Sequence, residues 1–220
     1  MTGDREPAEG EGARPERHPL AALVTLLGTT VALGLSIGLF TPLIAARLDR
    51  AGVAPLVNGL TSTVMYLAIG LGALLAGRVI KRHGVRTTFL VGAVGLALSA
   101  ACYPLLPSLP AWFVIRAFSG GAAALFFVST EVAVGLIGDP ARRGRNLALY
   151  GVAFSTGFSA GAASWPFLDP LGEWTPFLVV AGVSLFAAGL GPFLFPDARP
   201  PVRARPERRK HPRLELRAPL

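Results

Sequence analysis

Gly77-Arg78-Val79-Ile80-Lys81-Arg82-His83-Gly84-Val85-Arg86 is a short, basic, glycine-bounded segment set between two long apolar runs, residues 57–79 and 87–106. A bilayer core about 30 Å thick needs roughly 20 apolar residues per helix. Four further runs, at 20–45, 110–137, 147–167 and 174–195, reach that length. Each is continuously apolar and does not alternate with period two, which favours helices over the strands of a membrane barrel. The fold class that follows is an all-α membrane protein, a bundle of six transmembrane helices spanning residues 20–196. Residues 1–19 form a disordered tail before it, and 197–220 a basic, proline-rich tail after it.

Composition agrees with a bilayer environment. The chain has 220 residues, of which 52% are hydrophobic and 15% charged, and its mean hydropathy is +0.53. A soluble domain of this size interleaves polar residues throughout. Here the charges crowd into the ends and a few loops. The net charge of +8 is also unevenly divided. Taking the spans as above, the N-terminal tail, the two loops on its side and the C-terminal tail hold 3, 4, 3 and 8 Lys/Arg, 18 in all; the opposite loops hold 2. The positive-inside rule then places both termini in the cytoplasm, in a multi-pass protein of the cell membrane. Residues 1–19 are acidic and rich in Pro and Gly, and the apolar run after them is too long for the core of a cleavable signal peptide. Cys102 is the single cysteine, so no intrachain disulfide is expected.

The C-terminal tail carries Arg199, Arg203, Arg205, Arg208, Arg209, Lys210, Arg213 and Arg217 among prolines. Two readings fit it: attraction to anionic inner-leaflet lipid, worth ~1 kcal/mol per basic residue near the surface, or a linker that retains orientation. Nucleic-acid binding is not expected, because no aromatic residues or folded module accompany the charge.

Glycine occupies 26 positions, many inside the spans. In a membrane small residues let helix backbones approach closely. Gly34 and Gly38 in span one, and Gly157 and Gly161 in span five, are GxxxG pairs; Gly120 and Ala124 repeat the small-xxx-small spacing in span four. These predict close packing and make spans one, four and five interior helices. Span four also carries Arg116 and Glu131. Fifteen residues separate them, ~22 Å along a helix axis, yet Arg116, Gly120, Ala124 and Glu131 fall within an arc of ~80°. A charged face is costly in lipid and should point into the bundle or a cavity. For Arg116 the alternatives are attraction of an anionic solute group, anchoring of a neighbouring helix, or snorkelling to the outer interface. For Glu131 they are a structural ion pair with the basic loops or contact with solute.

These residues resemble a known family. Gly77-x-x-x-Lys81-Arg82-x-Gly84-x-Arg86, between spans two and three, is similar to the signature loop of the major facilitator superfamily, G-x-x-x-D-[RK]-x-G-[RK]-[RK]. Arg116-x-x-x-Gly120-x-x-x-Ala124 resembles that family's span-four motif, and Glu131 with Arg143-Gly144-Arg145 and Tyr150 resembles the following loop of many bacterial members. The likeness covers residues 20–195 and corresponds to the family's N-terminal six-helix half. It implies a secondary transporter of a small solute, in which two six-helix halves rock about a central site. It further implies that Gly77 and Gly84 permit a tight loop, that Arg82 and Arg86 make ionic contacts with Glu131 in a cytoplasmic gate that includes Lys81 and Arg143, and that Arg116 and Gly120 lie near the cavity.

The chain departs from the pattern in three places. Lys81 stands where the motif has Asp, and a cation there is repelled by the positive end of a helix dipole. Phe158, not Pro, follows Gly157, unlike the drug–proton antiporters. Glu131 is the sole carboxylate well inside a span, so a proton-coupling site is not evident. Six spans are also half the family's number. A truncated or split gene product, a transporter completed by a second six-helix half or a parallel homodimer, and a non-transporting scaffold or partner subunit are the readings left open; the charge asymmetry disfavours an antiparallel dimer. Catalysis, cofactors and metals are not expected: there is no metal-ligand spacing and no phosphate-cradling loop, and His18, His83 and His211 lie in tails or loops. The expected partners are the lipid bilayer and a small-molecule substrate.

Overall fold

In the computed structural model, residues 19–137 and 140–194 are described. They form six α-helices: α1 (Pro19–Arg50), α2 (Pro55–His83), α3 (Val85–Leu105), α4 (Leu109–Leu136), α5 (Arg143–Leu168) and α6 (Thr175–Leu194). The helices coincide with the six apolar runs and extend past several of them. α2 continues through Lys81, Arg82 and His83, and the positive charges of Lys81 and Arg82 in the last turn complement the helix dipole. The two predicted tails lie outside the described residues.

Six helices do not make six spans by length and apolarity alone. Among the described residues, α1 to α4 are long and apolar enough to cross a membrane, whereas α6 offers a shorter apolar stretch, Thr175–Gly191. α5 has the length, at 26 residues, but Arg143, Arg145, Asn146 and a series of Ser and Thr residues dilute its apolar character.

What the sequence presents as a loop between spans two and three is a single-residue joint. Gly84 alone separates α2 from α3, with φ 86° and ψ 162°, a left-handed backbone that favours glycine. Its N–H donates to the Ile80 carbonyl at 2.8 Å, and its own carbonyl accepts the Thr88 hydroxyl at 2.8 Å. Gly77, expected to share in a tight loop, instead lies within α2 on an exposed face where a Cβ would meet nothing within 4 Å.

The bundle is organised around α1 and α4, which touch each other. α1 packs chiefly on α5 and then on α6; α4 packs on α2 and α3; α3 also packs on α6. The two GxxxG pairs face one another across the α1–α5 contact. A Cβ on Gly34 would strike the backbone of Phe154 and Phe158, and one on Gly38 the backbone of Phe158. Reciprocally, Gly157 abuts the Val31 backbone and Gly161 the backbone of Leu35 and Leu39. The α2–α4 contact has the same character: Gly120 lies against Met65 and Ala68, and Gly72 against Ala124. Between lipid-soluble helices, such packing takes the place of a hydrophobic driving force.

The expectation that spans one, four and five are all interior needs correction. α3 is the most enclosed of the four apolar helices. In α5 the buried residues are Asn146, Tyr150, Gly157 and Gly161; Leu147, Phe154 and Phe158 are partly covered, and the face away from α1 is open. A GxxxG pair reports one close neighbour, not enclosure on every side.

Several buried Ser and Thr hydroxyls are satisfied within their own helices. Thr30 donates to Leu26, Ser99 to Leu96 and Thr130 to Phe126, each at 2.8 Å to a carbonyl one turn back. The core between α1, α3, α4 and α6 is aromatic. Tyr103 stacks on Phe177 at 5.6 Å between ring centres and meets Phe40 at 5.4 Å and Trp112 edge-on at 5.6 Å.

An ionic cluster closes the end of the bundle opposite Gly84. Arg47 and Arg50, in the last turn of α1, bind Asp169 in the α5–α6 connection; Arg47 Nη2 donates to Oδ1 at 2.9 Å and Arg50 Nη1 to Oδ2. Arg47 also donates to the Glu173 carbonyl at 3.0 Å and lies over the Phe177 ring, while Arg50 lies over Trp165. Burial alone pushes the Asp169 carboxyl up, but the hydrogen bonds and charges of Arg50 and Arg47 outweigh it and hold its pKa below the usual carboxylate value. The Glu173 carboxylate adds a longer ion pair, 3.5 Å from Arg47 Nη1.

Gly161→Leu drives a side chain into the α1 backbone and should destabilise the bundle by about 1–3 kcal/mol or more, read as a lower unfolding temperature in detergent. Gly77→Ala, on an open helix face, should leave that temperature unchanged or raise it. For Asp169, the folded pKa lies below the unfolded one, so its charge stabilises the fold at neutral pH and the effect is lost as pH falls through the folded pKa, below about pH 4. Asp169→Asn should therefore unfold at a lower temperature than wild type at pH 7, and the two melting curves should converge in acid.

Candidate functional site

Arg116 is the most unusual side chain in the bundle. It sits two turns into α4, among apolar and aromatic neighbours, and is 1% exposed. Its Nη1 donates to the Met65 thioether sulfur of α2 at 2.9 Å. Its Nε and Nη2 have no hydrogen-bond partner. Tyr103 on α3 and Tyr66 on α2 lie near enough to interact with it. Each unmet buried donor costs about 1–3 kcal/mol, and a buried charge costs more unless paired. Snorkelling to an interface does not describe this geometry, because the guanidinium is enclosed by α2, α3 and α4.

The local sequence explains the enclosure. Gly120, one turn on, brings the α4 backbone against Met65, and this close approach sets the thioether beside the guanidinium. Ser119 turns its hydroxyl back to the Arg116 carbonyl at 3.0 Å. Gly120 is thus a contact residue between α2 and α4, buried together with Arg116. Trp112, one turn before Arg116 on the same helix, also has a buried, unpartnered Nε1.

The face shared by Arg116, Gly120 and Ala124 is the one that α4 turns to α2. Glu131, at its far end, is exposed. Glu131 takes no part in the ion pairs of Arg47 and Arg50, and its contacts with Arg82 and Arg86 stay an expectation of the family resemblance. Around it, the basic end of the bundle holds Lys81, Arg82 and Arg143, all exposed, and Arg86, half-buried. Arg143 lies along Gly135 of α4, and Tyr150 of α5 donates its hydroxyl to the Phe127 carbonyl at 3.2 Å. Asn146 ties the α4–α5 connection together by donating to the Ile137 carbonyl at 3.1 Å. The structure therefore separates the predicted residues into two groups at opposite ends of α4, Arg116 in one and the gate residues in the other. Among the described residues, no group of three or more His, Cys, Asp or Glu side chains is placed to hold a metal. Cys102 is free and half-buried.

Comparison with known proteins fits this architecture. YfkF, an MFS-type transporter of Bacillus subtilis, is 31% identical over 157 residues, covering 70% of this chain and 39% of its own length. Major facilitator superfamily domain-containing protein 10 of Bos taurus is 30% identical over 69% of this chain and 32% of its own. The MFS-type transporter YcaD of Escherichia coli is 27% identical over 73% and 43%. The chain spans about two-fifths of the length of these curated relatives. The sequence pattern of the Major Facilitator Superfamily matches residues 26–219. With nearly the whole chain matched by that pattern, with its helices packed through small residues and a buried arginine on α4, the protein belongs to the major facilitator superfamily.

Proposed function

We propose that this chain is one six-helix half of a secondary transporter, and that it moves a small solute by alternating access together with a second six-helix body docked on α2 and α5. The observation that carries this reading is a stripe of small and polar residues on each of those two helices, flanked by exposed apolar side chains such as Leu67 and Leu74 on α2 and Val152 on α5. In α2, Gly59, Thr63, Gly70, Ala73 and Gly77 recur at helical spacing on an exposed side, and Cβ atoms at Gly59, Gly70 and Gly77 would meet nothing. In α5, Ala148, Ser155, Ser159 and Ala163 do the same on the side away from Gly157 and Gly161. Small and polar surface suits close contact with another helix better than contact with lipid tails. The relatives, more than twice as long as the segment they share with this chain, have room for such a second body.

On this reading all six helices cross the membrane. α6, with 20 residues, reaches about 30 Å at 1.5 Å per residue, and α5 tolerates its hydroxyls because they face protein. The end holding Lys81, Arg82, Gly84, Arg86 and Arg143 is cytoplasmic by the positive-inside rule, as are both termini, and the membrane is the plasma membrane. Those residues and Glu131 form the gate, and Arg116 lies beside the solute path. Lys81 in the place of the motif's carboxylate favours a second reading, in which the docked complex is a membrane scaffold and moves nothing.

Lipid-phase cysteine labelling tests the docking. In a Cys102→Ser background, Gly70→Cys and Ser159→Cys should be protected from an apolar maleimide in native membranes, while Val94→Cys on the exposed side of α3 reacts. Equal reaction at all three positions would remove the second body. Proteoliposome uptake of radiolabelled carboxylates, amines and sugars by the docked complex then separates carrier from scaffold, since a scaffold passes none of them.

A further inference from the structure

Three buried hydrogen-bond donors without acceptors lie one turn apart on α4: Arg116 Nε, Arg116 Nη2 and Trp112 Nε1. Residues i and i+4 share a helix face, so the three belong to one side of α4. Tyr103 joins them, with its ring 5.6 Å from that of Trp112 and its phenol near enough to interact with Arg116. Among the described residues no carboxylate complements this cluster. Asp169 and Glu173 are engaged by Arg47 and Arg50, Glu131 is ~22 Å along α4, and Asp49 is exposed at the end of α1.

The chemistry of the missing acceptor can be read from which nitrogens are unmet. Nη1 is occupied by Met65, which leaves Nε and Nη2. These two N–H groups are parallel and form the side-on edge of the guanidinium, a fork that matches the two oxygens of a carboxylate. The charge balance is one: Arg116 is the one Lys or Arg among the buried described residues, and a single enclosed cation complements a monoanion better than a phosphate dianion. The rings beside it form an aromatic group, in which Tyr103 meets Trp112, Phe40 and Phe177. Tyr66, the other phenol near Arg116, is 48% exposed on α2, so the cluster reaches the same open side of α2 that carries the small-residue stripe.

We infer that Arg116, with Trp112 and Tyr103, forms a binding site for the carboxylate of a monoanionic solute that has an apolar or aromatic body. The carboxylate takes both side-on N–H groups of Arg116, the indole N–H donates to one of its oxygens, and the ring or chain of the solute packs on the phenols. The inference rests on the carrier reading only in naming the ligand a transported solute; binding itself needs no second body.

Equilibrium binding of radiolabelled benzoate to the full chain in nanodiscs tests it, with benzamide as the neutral isostere. Saturable benzoate binding that benzamide does not displace is expected. Arg116→Gln should weaken it roughly thirtyfold or more, and Trp112→Phe, which removes the indole N–H together with part of the ring, about tenfold or more. Trp112→Phe also decides the question should Arg116→Gln fail to fold. No saturable binding, equal competition by benzamide, or unchanged affinity in Trp112→Phe and a folded Arg116→Gln would each overturn the inference. None of these outcomes bears on the maleimide protection of α2 and α5, so the two proposals fail separately.

Discussion

The backbone contact between α1 and α5, made possible by Gly34 and Gly38 on one helix and Gly157 and Gly161 on the other, is the constraint on which the rest of the bundle depends. In lipid there is no gain from merely bringing apolar helices together, so association rests on close van der Waals packing. Where α5 lies against α1 in this way, the α5–α6 connection comes within reach of the α1 C-terminus, and Asp169 falls between Arg47 and Arg50. The ion cluster then holds α6 through Phe177, on which Arg47 rests. Packing at one level thus fixes the electrostatics at the next.

A second glycine contact does comparable work on the other flank. Gly120 against Met65, and Gly72 against Ala124, bring α2 onto α4. That approach encloses Arg116 and offers it a thioether in place of a carboxylate. Phe177 and Tyr103 connect the two flanks: Phe177 takes Arg47 on one face and stacks on Tyr103, and Tyr103 stands beside Arg116. The enclosed guanidinium and the closing ion cluster are therefore parts of one aromatic core.

Most of the helical architecture is legible in the sequence, since six apolar runs separated by Gly, Pro and basic residues leave few alternatives in a bilayer. The GxxxG pairs also announce close helix contacts, although not that the pair in α1 meets the pair in α5. Three features are not legible. The Gly77–Arg86 segment reads as a loop because its charges interrupt an apolar run, but helix propensity and the dipole carry α2 through to His83, leaving Gly84 as the joint. The Arg47–Asp169 cluster joins residues more than a hundred positions apart, and no local pattern marks it. The enclosure of Arg116 depends on three helices together, whereas periodicity reports one face of one helix.

In the proposed carrier, this six-helix half needs a second six-helix body against α2 and α5. Native mass spectrometry of the complex released from its own membrane in lipid-polymer discs measures this most directly. A particle whose protein mass exceeds the 23.0 kDa of this chain by that of another six-helix body, either a partner or a second copy, is the expected result. A particle containing one 23.0 kDa chain and lipid alone would contradict it.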